Sequence, residues 1–179
     1  MDDVDQYLQN ALPDPGQWLP TELRRAAVLC PILAHEGRDH VLFVLRPKGT
    51  QIHAGQIALP GGMRADDESP LQTALRECQE EVGAPHDLIT PLGELEPRAS
   101  TSKIHVHCVV DPREVARILQ VPLDDLRDDD RWREKPAPFA TPHRQPRLSP
   151  HFHFGDELLW GLTARFIRDL VAQLPRIAP

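Results

Sequence analysis

Apolar positions along this chain follow two rhythms, one suited to strands and one to helices. Residues 26–33 and 41–45 are nearly continuous apolar runs of strand length. Glu36, Gly37, Arg38 and Asp39 between them carry turn chemistry, so a β-hairpin is predicted. Pro31 brings no N–H to a ladder, which points to an edge strand or a bulge there. Further strands are expected at residues 56–59, 89–95, 104–110 and 151–154. Helical spacing predicts a short helix over 4–12, ended by Pro13, Asp14, Pro15 and Gly16, and a long amphipathic one over 156–174. A short helix is expected over 114–119, entered through Pro112, and a helical turn over 122–126. Trp18, Leu19 and Pro20 read as a packed connector. Residues 127–150 are charged and rich in proline, which predicts a surface excursion rather than a core element.

One further helix is set out more sharply than the rest. Ser69 is a good N-cap, Pro70 occupies the first helical position, and Gln72 completes a capping box with Ser69. Gly83 supplies the stop, because glycine tolerates the left-handed conformation that ends helices. Over residues 70–82, Leu71, Ala74, Leu75, Cys78 and Val82 fall on one stripe, which should bury against a sheet. Strands with helices at intervals predict an α/β (α+β) fold, a mixed sheet covered by helices on both faces. The length of 179 residues suits one domain over 1–179, with a short N-terminal extension over about 1–20.

Glu77, Glu80 and Glu81 share an arc of that helix turned away from the apolar stripe. Each like-charged pair on neighbouring helical positions costs about 0.2–0.5 kcal/mol in an isolated helix. A divalent cation would reverse the sign of that cost, and an all-oxygen set suits hard ions such as Mg²⁺ or Mn²⁺. The competing reading is a solvated acidic face, with Arg76 and Glu80 forming a weak surface pair.

Composition narrows the partners. A formal net charge of −7 argues against a nucleic-acid polymer, whose binders show a basic face. No apolar run reaches the roughly 20 residues that span a bilayer, and the acidic start Met1, Asp2, Asp3 lacks the features of a signal peptide. Cys30, Cys78 and Cys108 sit in apolar surroundings and read as small buried hydrophobes in a reduced compartment, with a disulfide or thiolate nucleophile as the alternative. A cytoplasmic location is expected.

The spacing around the acidic helix carries a resemblance. Gly62, five residues, Glu68, seven residues, then Arg76, Glu77, Cys78, Gln79, Glu80, Glu81, Val82, Gly83 and Ala84 resembles the Nudix box. Cys78 and Ala84 are small for its bulky apolar positions. The resemblance implies a mixed sheet between helices. It also implies a hydrolase that splits a phosphoanhydride in a nucleoside diphosphate derivative with a divalent metal, Mg²⁺ or Mn²⁺. Carried onto this chain, Glu80, Glu81 and the Gly62 carbonyl are implied metal ligands, and Glu77 a ligand or the base that orients the attacking water. Arg76 and Glu68 are implied to pair and hold the loop against the helix.

The residues before the box, Val44, Leu45 and Arg46, then His53 through Gly62, look like the signature of the coenzyme A diphosphatase branch of that family. Glu114 and Val115, residues 121–123, and Trp160 through Ala164 also look like that branch. Its enzymes yield 3′,5′-ADP and 4′-phosphopantetheine. The chain departs from the branch at Pro47, at Gln51 where the branch has Arg, and at Leu59 where it has Phe. The loss of a cation at 51 removes one candidate contact to an anion, for which Lys48 or Arg46 would compensate. Substrate contacts are expected from Arg46, Lys48, His53 and Gln56. The partner is then a small nucleotide; a membrane is not expected, and a homodimer is compatible with the sequence. Other Nudix substrates (ADP-ribose, NADH, a dinucleoside polyphosphate) and a non-catalytic nucleotide-binding module remain the alternatives.

Several other groups are weaker candidates. His105 with His107, and His151 with His153, each put two imidazoles on one strand face, without a partner at diagnostic metal spacing. Arg98 and Lys103 are candidate phosphate contacts against a background of ordinary surface charge. Asp128, Asp129, Asp130 and Glu157 are candidates for a loop carboxylate that completes the site. Ser100, Thr101 and Ser102 lack a nucleophile elbow, which argues against a serine hydrolase.

Overall fold

The structure, a computed structural model, describes residues 2–45, 56–112, 119–138 and 148–175. The chain starts with α1 (Asp2–Ala11), whose Leu8 is fully buried; Leu12 behind it is buried too. Strand β1 (Arg24–His35) turns through Glu36 and Gly37, both at positive φ, into the antiparallel β2 (Arg38–Leu45). Two short strands follow: β3 (Ile57–Ala58) on β2 and β4 (Gly61–Met63) on β1. Helix α2 (Pro70–Val82) leads through a 3-10 turn to β5 (Gly93–Ala99), which pairs antiparallel with β6 (Ile104–Pro112). Strand β7 (Leu119–Pro122) adds to β2, and α3 (Leu123–Arg127) follows. A three-stranded sheet is then built from β8 (Trp132–Pro136), β9 (Leu148–Phe154) and β10 (Glu157–Leu159), before α4 (Gly161–Gln173) closes the described chain.

The main sheet runs β3-β2-β1-β6-β5, with β4 also on β1 and β7 on β2. It is mixed, because β1 and β6 are parallel from Arg24↔Ile104 to Ile32↔Pro112. Alternation along these two strands assigns the two faces. Ala26, Cys30 and Ile32 with Val106, Cys108 and Val110 join a large core that includes Phe166, Ile167 and Leu170 of α4. Ala27, Leu29 and Val109 face the other way and pack with Ala74 and Cys78 of α2. The expected sheet between helices is thus present. The three cysteines are buried and none is in a disulfide.

Four expectations need correction. Pro31 lies in an interior strand, paired with β6 across its length. Its N–H would share a side with that of Leu29, which donates to Pro60 O. That is where β1 changes partner from β4 (to Val28) to β2 (from Ile32), so no ladder bond is lost. Residues 89–95 are not a strand throughout. Pro91 has no donor, pairing starts with Leu92 N–H to Val110 O, and β5 continues to Ala99. The helix expected from 156 begins at Gly161, because Gly155 at positive φ turns the chain into β10 and sets Leu159 opposite Phe152. Part of the expected surface excursion over 127–150 is regular structure. Residues 132–136 form β8, and Trp132 is buried against Phe152. The helix expected over 114–119 lies outside the described residues except for Leu119, which opens β7. Among the described residues, no helix is long and apolar enough to cross a membrane.

Candidate active site

The acidic helix is fixed at both ends. Ser69 Oγ accepts from Gln72 N–H at 3.2 Å, and Gln72 Oε1 accepts from Ser69 N–H at 2.8 Å. At the other end Gly83, at φ 70°, donates its N–H to Gln79 O at 2.9 Å. Between these caps Pro70, Thr73, Ala74 and Cys78 are buried. The arc with Glu77, Glu80 and Glu81 is thereby turned toward β4 and the loop that follows it.

Arg76 clamps that loop. Its Nε donates to Glu68 Oε1 at 2.7 Å, and one terminal nitrogen reaches Glu68 Oε2 at 3.2 Å and Met63 O at 3.0 Å. The other terminal nitrogen donates to Glu77 Oε1 at 2.8 Å and lies 3.3 Å from Glu80 Oε2. Thr73 Oγ1 and Ala65 N–H also donate to Glu68 Oε2, at 2.9 and 3.2 Å. The Arg76 hydrogen bond holds the Glu68 carboxyl below the ordinary glutamate range. Burial opposes that shift, and Ala65 and Thr73 add to it. The same pair, with Glu77 next in weight, pushes the Arg76 guanidinium further above its already high value.

The glycines of β4 bring two carboxylates to one place. A Cβ at Gly62 would overlap the whole Glu77 carboxyl group, so only glycine leaves room for that side chain. Next to it, Gly61 N–H donates to Glu81 Oε2 at 3.0 Å. Glu77 is half-buried, whereas Glu80 and Glu81 are both exposed, the Glu80 side chain at 59%. Among the described residues no three His, Cys, Asp or Glu side chains are grouped as a finished metal site; Glu77 and Glu80 are turned toward Arg76 instead. The donor chemistry still fits a hard divalent cation. Glu77 fills the space a side chain at Gly62 would need, the adjacent Gly61 N–H holds Glu81, and Glu80 stands on the same arc of the helix.

Comparison with known proteins agrees with this geometry. The family model described as NUDIX domain matches residues 23–143. A protein of Photorhabdus laumondii described as "Uncharacterized Nudix hydrolase NudL" is 34% identical over 97% of both chains. The chain belongs to the Nudix hydrolase family. A Yersinia pestis protein with the same description is also 34% identical, over 84% of this chain and 80% of its own. Among solved structures, the Nudix hydrolase RenU from M. smegmatis superimposes with a TM-score of 0.48 at 22% identity, covering 64% of this chain and 80% of its own. Nudix hydrolases are pyrophosphatases of nucleoside diphosphate derivatives and generally use divalent metal ions.

Arg46, Lys48 and His53 lie outside the described residues, while Gln56 is half-buried just before β3. Arg98 forks onto Asp169 of α4 at 2.6 and 2.8 Å, so its guanidinium is engaged on the side of the sheet away from the Nudix helix. Asp129 pairs with Arg168 of α4 at 2.7 Å, and Asp128 caps a 3-10 turn. His107 is 1% exposed, and its Nδ1 bonds Glu94. His151 is buried and His153 exposed.

Two residues of the site are invisible to motif spacing. Trp18 Nε1 donates to the Glu68 carbonyl at 2.6 Å, and Arg64 Nε donates to the same oxygen at 3.1 Å. Thr73 did carry a signal: it is a polar residue beside the buried stripe of α2, and such residues need a partner.

Proposed function

We propose that this Nudix hydrolase splits the diphosphate of coenzyme A or its thioesters, releasing 3′,5′-ADP and (acyl-)4′-phosphopantetheine. The observation that carries the catalytic part is the placement of Glu77 on Gly62 with Glu81 held by the neighbouring Gly61 N–H. In this reading Glu77, Glu80, Glu81 and the Gly62 carbonyl hold Mg²⁺ or Mn²⁺. When bound, such an ion neutralises the diphosphate and lowers the pKa of an adjacent water. Glu77 is a ligand or the group that accepts the proton of the attacking water. Arg76 and Glu68 keep the 63–68 loop against the helix so that Gly62 stays in place.

The substrate part rests on the residues before the box. Arg46, Lys48, His53 and Gln56 belong to a segment that looks like the coenzyme A diphosphatase signature, and two of them are cationic. Gln51, where that branch has Arg, favours a second reading: another nucleoside diphosphate derivative such as ADP-ribose, NADH or a dinucleoside polyphosphate. A screen of those substrates and coenzyme A, with Mg²⁺ or Mn²⁺ and chromatographic separation of products, tests this. Release of 3′,5′-ADP from coenzyme A supports the first reading. Turnover of the others without it would overturn the coenzyme A assignment and leave the hydrolase assignment intact.

A further inference from the structure

The N-terminal segment ahead of the matched region, which starts at residue 23, is strapped across the molecule rather than appended to it. Leu8 and Leu12 are embedded in the core beneath α4. The chain then passes the outer edge of β5, the last strand of the main sheet, where Glu94 N–H donates to Pro13 O at 2.9 Å and Gly16 N–H donates to Glu94 Oε2 at 2.7 Å. It ends on the opposite face, with Trp18 packed against the cluster under α2. There the Trp18 ring meets His107 edge-on, with centroids 4.9 Å apart, and lies under the Arg64 guanidinium at 5.8 Å.

Trp18 and Arg64 hold the backbone carbonyl of Glu68, while Arg76, Thr73 and Ala65 hold its carboxylate. The residue is therefore fixed at both ends. The start of the loop has its own ties, Met63 O to Arg76 and Arg64 N–H to Arg25 O, so the contacts of Trp18 and Arg64 are what fix the backbone at its far end, Glu68. We propose that Trp18 is a positioning residue for the Nudix site. Its indole N–H sets the 63–68 loop, and through Glu68 and Arg76 it sets Glu77 on Gly62. The inference rests on the metal reading above only where ion affinity is concerned.

The test compares the full-length wild type with Trp18→Phe, which keeps a ring on His107 but removes the N–H, and with Leu8→Ala, which loosens the strap in the core. Three quantities are read: the thermal midpoint, amide exchange of the 63–68 segment relative to β6, and affinity for Mn²⁺ alone by electron paramagnetic resonance. Loss of one such hydrogen bond predicts that Trp18→Phe speeds exchange of the segment up to about tenfold and weakens Mn²⁺ binding about three- to tenfold. Leu8→Ala should lower the midpoint further while leaving relative exchange and Mn²⁺ affinity as in wild type. Unchanged exchange in Trp18→Phe, faster exchange with unchanged Mn²⁺ affinity, or equal effects from Leu8→Ala would each overturn the proposal. If the wild type binds no Mn²⁺, the metal reading fails, and exchange alone decides the role of Trp18.

Discussion

The Glu77 carboxyl group occupies the space that a β-carbon on Gly62 would need. A backbone position on one strand and an ionisable group on a helix are thus made interdependent, and the two adjacent glycines of β4 should respond differently to a methyl group.

At Gly62 the obstacle is the end of a flexible side chain, which can swing away. Gly62→Ala should change stability by no more than about 1 kcal/mol yet remove most hydrolytic activity. At Gly61, φ is 155° and a Cβ would meet the Ala27 carbonyl and the Val28 backbone. Gly61→Ala should destabilise by about 2–3 kcal/mol or more, because backbone cannot yield as a side chain does. Urea unfolding and initial rates on the two variants check this. Equal loss of stability in both would contradict it.

Arg76→Lys keeps the charge and loses the fork. A lysine cannot serve Glu68, Met63 O and Glu77 together as the guanidinium does. The expected cost is about 1–3 kcal/mol for partly buried charge-assisted bonds, with a fall in activity larger than the stability loss explains. Full activity in the lysine variant would show that the clamp is dispensable.

Stability should fall on acidification in two stages. His105 and His151 are held below the ordinary value of 6.5 chiefly by burial. They stay neutral in the fold, so their contribution is complete above 6.5 and declines as pH falls from there. Glu68, held below 4.5 chiefly by Arg76, is ionised in the fold. Its contribution is complete above 4.5 and is lost as pH drops through the lowered value. Urea midpoints across this range should show both declines, and Glu68→Gln should shrink the lower one. A midpoint that rises on acidification would contradict both.

How much of this could be read from the sequence depends on which forces set each part. Helix α2 was legible throughout, because Ser69, Pro70, Gln72, Gly83 and the apolar stripe are local signals that agree with one another. Strand β4 was not. The expected strand stops at residue 59, and Gly61 and Gly62 form one of their own because β1 supplies the hydrogen bonds. Leu159 fitted the helical spacing of α4 but belongs to β10, since burial of one leucine serves either period. The contact of Trp18 with Glu68 joins residues far apart in the chain, and no spacing encodes it. The carboxylates of the site were marked by their spacing; what holds the loop beneath them is tertiary.

The central claim is that Glu77, Glu80 and Glu81 form a metal site that splits a diphosphate. It is tested most directly by coenzyme A turnover against Mn²⁺ or Mg²⁺ concentration in the wild type, Glu80→Gln and Glu81→Gln. The account predicts metal-dependent release of 3′,5′-ADP by the wild type. It predicts rates at least about a hundredfold lower in both variants, with urea midpoints close to wild type. Folded variants that turn over at the wild-type rate would contradict it.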